Sequence, residues 1–104
     1  MTVKKYDKLI RDKIPQIIQS FGATCTTYVA GDEEYKQRLS DKLLEESKEF
    51  FEDPCAEELA DVYEVILALA EANRWDIERE RIVKRLKRGA FSRRYILQDV
   101  KRND

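Results

Sequence analysis

Residues 43–73 read Leu43-Leu44-Glu45-Glu46-Ser47-Lys48-Glu49-Phe50-Phe51-Glu52-Asp53-Pro54-Cys55-Ala56-Glu57-Glu58-Leu59-Ala60-Asp61-Val62-Tyr63-Glu64-Val65-Ile66-Leu67-Ala68-Leu69-Ala70-Glu71-Ala72-Asn73. Good helix formers fill both halves, and Asp53-Pro54 interrupts them. This reads as two helices joined by a tight turn, with Asp53 as the cap of the second and Pro54 in its first turn. Such a turn lays the helices antiparallel. The first helix runs back to about Glu33, where Gly31-Asp32 supplies a turn and an N-cap. The second runs to about Asn73. Residues three apart share a helix face, so Glu46 pairs with Glu49 and Glu58 with Asp61, and the turn brings the two pairs together.

Working outward, Asp76 caps a fourth helix from Ile77 to Arg88, and Gly89 ends it. Upstream, Tyr6 to Lys13 forms a turn or short helix, Pro15 opens a second short helix, and Gly22 closes it. Thr24 to Val29 is rich in β-branched residues, and Arg94 to Leu97 is a second candidate strand that needs pairing with it. The fold class is therefore all-α. An antiparallel bundle of about four helices, with a short two-stranded β accessory, is expected as one domain over 1–104.

Composition narrows the chemistry. Histidine is absent, which excludes Ser-His-Asp and Cys-His catalysis and histidine-built zinc or di-iron sites. Cys25 and Cys55 have no metal-ligand spacing and read as reduced thiols. Neither a leader nor an apolar stretch of membrane-spanning length is visible, so a cytoplasmic protein without a membrane partner is expected. Between Asp32 and Glu64 there are thirteen acidic and four basic residues, a net of −9; between Arg81 and Arg102 there are nine basic and one acidic, a net of +8. A metal and a polyanion together suit that asymmetry.

The carboxylates point to a hard, oxygen-preferring cation such as Mg²⁺, with Mn²⁺ a substitute. Acidic runs in helices are ordinarily solvated faces, and Glu57 and Glu58 also suit the dipole of a first helical turn. Against that bland reading, Glu45–Glu49–Asp53 and Glu57–Asp61 repel at i,i+4 spacing. Glu58 also falls inside the apolar sector of its helix, where a carboxylate is costly unless paired or metal-bound.

Glu45-Glu46-x-x-Glu49 followed by Glu58-x-x-Asp61 resembles the paired acidic hallmark of the all-α nucleoside-triphosphate pyrophosphatase superfamily, with its MazG-like, HisE-like and dimeric dUTPase-like members. The opening Tyr6-Asp7-Lys8-Leu9-Ile10-Arg11-Asp12-Lys13-Ile14-Pro15 and the later Lys87-Arg88-Gly89-Ala90-Phe91 resemble the small phosphoribosyl-ATP pyrophosphohydrolase-like subfamily. The likeness spans about Tyr6 to Leu97. Only eight residues separate Glu49 from Glu58, fewer than in many members.

The resemblance implies Mg²⁺-dependent cleavage of the α–β phosphoanhydride of a nucleoside triphosphate, water attacking the α-phosphorus to give a nucleoside monophosphate and pyrophosphate. Glu46, Glu49, Glu58 and Asp61 would hold the metal, with Glu64 a weaker addition. Glu45 would orient the water or support the ligands. Lys8, Arg11, Lys13, Lys87, Arg88 and Arg94 would neutralise the phosphates, and Phe91 or Tyr95 would stack on a base. Clearance of non-standard nucleotides is one use of this chemistry, and phosphoribosyl-ATP hydrolysis is the alternative.

A non-catalytic regulatory helical module, or one binding nucleic acid through the basic tail, is the other class of answer; the pI near 5.6 speaks against nucleic acid. The helix carrying Leu59, Val62, Tyr63, Val65, Ile66, Leu67 and Leu69 is apolar over about 200°, far beyond the roughly 100° stripe that suffices for one core. A homodimer or higher homo-oligomer is therefore expected. Phe21, Trp75, Ile82, Val83 and Leu86 are what a self-contained bundle would use to cover the same face.

Overall fold

The computed structural model describes residues 2–103. Four helices follow one another: α1 (Ile14–Ser20), α2 (Asp32–Glu52), α3 (Ala56–Asn73) and α4 (Ile77–Arg88). No strand occurs among the described residues, so the β accessory is absent. At one of its candidate strands the reason is local. Arg94 sits in the left-handed region (φ 59°) at the end of a turn closed by Arg94 N–H donating to the Phe91 carbonyl, and a strand cannot start there. The other, Thr24 to Val29, is exposed throughout and has no ladder partner.

α2 starts after extended Gly31, with Asp32, Glu33 and Glu34 in the first turn where the helix dipole favours negative charge. It stops at Asp53, held at φ −140° and ψ 76°, because the ring of Pro54 disfavours helical backbone in the residue before it. Asp53 closes α2, its N–H donating to the Glu49 carbonyl. It does not cap the next helix. That position falls to extended Cys55, without a side-chain cap, and Pro54 stays in the link. Three residues thus reverse the chain, and α2 and α3 form the one extensive helix-to-helix packing among the described residues.

The core of this hairpin is small. Leu39 from α2 and Val65 and Ala70 from α3 are its buried apolar residues. Arg74 ends α3 in the left-handed conformation, its N–H and that of Trp75 satisfying the Glu71 and Ala70 carbonyls. Asp76 then caps α4 by accepting from Arg79 N–H at 3.1 Å. Glu78 and Glu80 begin α4 and Arg85, Lys87 and Arg88 end it, matching its dipole. No residue of α4 is buried.

The chain does not close on itself. Its radius of gyration is 19.3 Å, against about 13 Å for a compact domain of this length. Its extents are 70 × 31 × 25 Å. Phe21, Trp75 and Leu86 lie exposed, Ile82 is exposed as well and Val83 is half-buried. The outer α3 face, with Leu59, Tyr63 and Ile66 around a shallow apolar groove of about 470 Å³, is left open. Among the described residues no helix is long and apolar enough to cross a membrane.

Candidate metal centre

The site is built by the inner faces of α2 and α3 and closed by the segment before α1. Arg38 of α2 anchors that segment, donating to the Asp7 carbonyl at 2.9 Å and its carboxylate at 2.8 Å while also holding Glu34. With Asp7 fixed, the following residues run across the hairpin. Lys8 donates to Glu45 at 3.3 Å, and Arg11 donates to Asp61 at 2.7 Å. Between them and the helices lies a cleft of about 1060 Å³, lined among others by Arg11, Lys13, Lys42, Glu46, Asp61 and Glu64. That is at the upper end of the volumes small-molecule sites occupy.

Glu46 and Asp61, which line the cleft, come together with Glu58. One carboxylate oxygen from each lies within 4.8 Å of the others. Glu46 is only 8% exposed. Lys42 Nζ lies 3.3 Å from Glu46 Oε1 and 3.7 Å from Glu45. Yet Glu46 Oε2 and Glu58 Oε2 are both buried without a hydrogen-bond partner. A buried carboxylate oxygen without a donor is costly and calls for a cation or a proton. Hydrogen bonds within the protein satisfy neither atom.

The titration of the neighbourhood carries the same strain. Glu58 is pushed above the usual carboxylate range first by loss of solvation, then by the charges of Asp61 and Glu46. Glu49 is pushed up as well, mainly by the Glu46 carboxyl, close enough to share a proton with it, and by that group's charge. Crowded like charges with too few donors favour a proton, and a divalent cation relieves them in the same way.

The sequence candidates fall into three groups. Glu46, Glu58 and Asp61 come together. Glu49 is exposed and outside this trio, although close enough to Glu46 to feel its charge. Glu45 is half-buried between Lys8 and Lys42, and Glu64 lines the cleft outside the trio. Of the basic residues expected at phosphate, Arg11 and Lys13 line the cleft, and Lys8 pairs with Glu45 without lining it. Lys87, Arg88, Phe91 and Arg94 do not line it; all four are exposed, Phe91 to 96%.

Two side chains at the site escaped the sequence reading. Lys42 was legible, since it stands three residues before Glu45 and four before Glu46 on one helix face. Arg38 was not, because its partner Asp7 lies 31 residues away. No family model, curated protein or solved structure matches the chain.

Proposed function

We propose that the protein is a Mg²⁺-dependent nucleotide pyrophosphohydrolase that splits a nucleoside triphosphate into a monophosphate and pyrophosphate. The observation that carries this reading is the pair of buried, unpartnered oxygens on Glu46 and Glu58, grouped with Asp61, where Glu46 and Asp61 line a cleft that Lys and Arg also line. Carboxylate oxygens alone, in a chain without histidine, are donors for a hard cation, with Mn²⁺ a substitute. When bound, such an ion supplies Lewis-acid polarisation of a phosphoryl oxygen and a more acidic water.

The chain's own residues do the rest. Glu46, Glu58 and Asp61 would hold the cation, with Glu49 as an outer carboxylate beside Glu46. Glu45, pinned by Lys8 and Lys42, orients the attacking water along one lone-pair direction. Arg11, Lys13 and Lys42 face the cleft and balance phosphate charge as bonds to phosphorus form and break. Arg11, which donates to Asp61 at 2.7 Å, would be free to pair with phosphate if Asp61 held a cation instead. The Leu9 and Ile10 side chains wall the cleft beside these cations.

The active particle is a homodimer. The open α3 face, the three-residue apolar core and a radius of gyration far above that of a compact domain support this. A closed two-fold pair is also the commonest way for a small chain to extend its core.

The test is a screen of canonical and damaged nucleoside triphosphates with and without Mg²⁺, reading pyrophosphate and orthophosphate separately. Pyrophosphate as first product, dependent on Mg²⁺, supports the reading. Orthophosphate as first product places cleavage at the γ-position and overturns it.

A further inference from the structure

The Lys42 side chain is only 16% exposed, and a lysine buried that far calls for a partner. It has two. Its Nζ lies 3.3 Å from Glu46 Oε1 and 3.7 Å from Glu45 Oε2. Residues three and four apart share a helix face, yet lysine placed before glutamate is the less favourable order for an isolated helix. Helix stability therefore accounts for little of its placement. Lys42 also lines the cleft that Glu46 and Asp61 line.

Side-chain cations cover the carboxylate oxygens unevenly. Glu45 is taken at both, Oε1 by Lys8 at 3.3 Å and Oε2 by Lys42. Glu46 is divided: Oε1 has Lys42, and Oε2 is buried without a donor. Glu58 Oε2 is buried without a donor as well, and Asp61 has Arg11 on Oδ1 at 2.7 Å. The Glu45 side of the cluster is thus satisfied by the chain itself, and the bare oxygens are those of Glu46 and Glu58. A carboxylate that bridges two metal ions gives one oxygen to each, and paired ions in hydrolytic sites stand about 3.5–4 Å apart. Glu46 is placed as such a bridge, with the Lys42 ammonium already on one of its oxygens.

We propose that Lys42 takes the place of a second divalent cation, so that each chain binds one Mg²⁺ or Mn²⁺, on the side of Glu46 Oε2, Glu58 and Asp61. The assignment rests on the cation reading given above for those three carboxylates. An ammonium in that place carries one charge where a metal ion carries two, and it cannot dissociate. It neutralises Glu45 and Glu46 before any ion arrives, and it offers N–H donors to a phosphate oxygen where a second ion would offer an open coordination position. Lys42 is therefore a positioning residue: with its ammonium on Oε1, Glu46 keeps Oε2 for the ion.

The experiment titrates Mn²⁺ alone into the metal-free, full-length chain and counts bound ions by loss of the free-ion paramagnetic resonance signal. The wild type should bind one ion tightly per chain, and Glu58→Gln should lose it. Lys42→Met removes the ammonium. Lys42→Gln removes the charge but leaves Glu46 a donor, which keeps the test usable if the first variant does not fold. Either should bind a second ion, and the pair, bridged by Glu46, should show the spin coupling that an isolated ion lacks. Lys42→Arg, which keeps the charge, should hold the count at one.

Two tightly bound ions in the wild type overturn the proposal and leave the metal centre standing. A count that stays at one in Lys42→Met and Lys42→Gln also overturns it, because the ammonium then holds no ion's place. A wild type that binds no Mn²⁺, or whose ion is unaffected by Glu58→Gln, fails the cation reading itself, and the proposal falls with it.

Discussion

The α2–α3 hairpin and the region after it are both helical, yet different forces hold them. In the hairpin, Leu39 is 3% exposed and Glu46 is nearly as buried, so packing and a shared polar cluster fix the geometry. α4 rests on local terms: the Asp76 cap, a dipole-matched charge pattern and the Arg81–Glu78 pair. A twelve-residue helix without a buried face is marginal in water. The hairpin is therefore a scaffold that can hold a precise site, whereas α4 and the basic tail form a surface that needs something to lie on.

The contrast breaks first at the site. On the proposed hydrolase reading, Asp61→Asn should lower turnover by at least about 100-fold, because a proposed cation ligand and the Arg11 partner are both lost, while far-UV dichroism stays unchanged. Near-wild-type rates in this variant would remove the cluster from the chemistry. A metal-binding titration with Mn²⁺ provides a second readout, and the variant should bind it more weakly.

Packing gives the next largest effect. Leu39→Ala should cost about 2–5 kcal/mol in urea unfolding, because the cavity opens in a core with few other members. Leu86→Ala, at a side chain 83% exposed, should cost under about 0.5 kcal/mol if the chain stands alone. A larger loss that grows with protein concentration would show that Leu86 is covered by another copy.

Capping is smaller. Asp76→Ala removes the acceptor for Arg79 N–H and should cost about 1 kcal/mol, felt as lost helicity from α4 rather than as unfolding of the hairpin. Loss of the whole fold at once would mean that α4 is not an independent, locally held element.

The pH dependence is the subtlest. Glu49 and Glu58 titrate above their unfolded values, so the metal-free fold is favoured at low pH and loses that contribution as pH rises through the raised values. Glu78, lowered by its hydrogen bond from Arg81, has the opposite sign: its contribution is present near neutrality and lost on acidification through its depressed value. Glu58→Gln should flatten the first trend and leave the second. At neutral pH, Mg²⁺ should raise Tm, and the gain should shrink near pH 5 as protons compete for the same oxygens. A Tm gain independent of pH would separate metal binding from these carboxylates.

Much of this was legible in the residues themselves. The Asp53-Pro54 break, the Asp76 cap and the Gly89 stop are local signals, and each marks a true helix end, although the cap of α3 moved to Cys55. That shift arose because Asp53 was already used to close α2. The joining of Glu46 with Glu58 and Asp61 followed from helix periodicity and a short turn. Glu49 was grouped with them by the same periodicity but is exposed and lies outside the trio, whereas Glu58 and Asp61, spaced alike, both join it; spacing sets which residues share a face and not which of them is buried against the neighbouring helix. The two expected strands failed because β structure needs a partner, and neither segment has one.

Sequence by itself determined the helices, their ends and the juxtaposition of carboxylates across one turn, because these depend on interactions between residues a few positions apart. Only the tertiary structure decided which carboxylate oxygens are buried without donors, that Arg38 ties Asp7 down so that Lys8 and Arg11 reach the cluster, and that the basic tail stays away from the cleft. Those outcomes depend on desolvation and on contacts across tens of residues, and no local pattern encodes them.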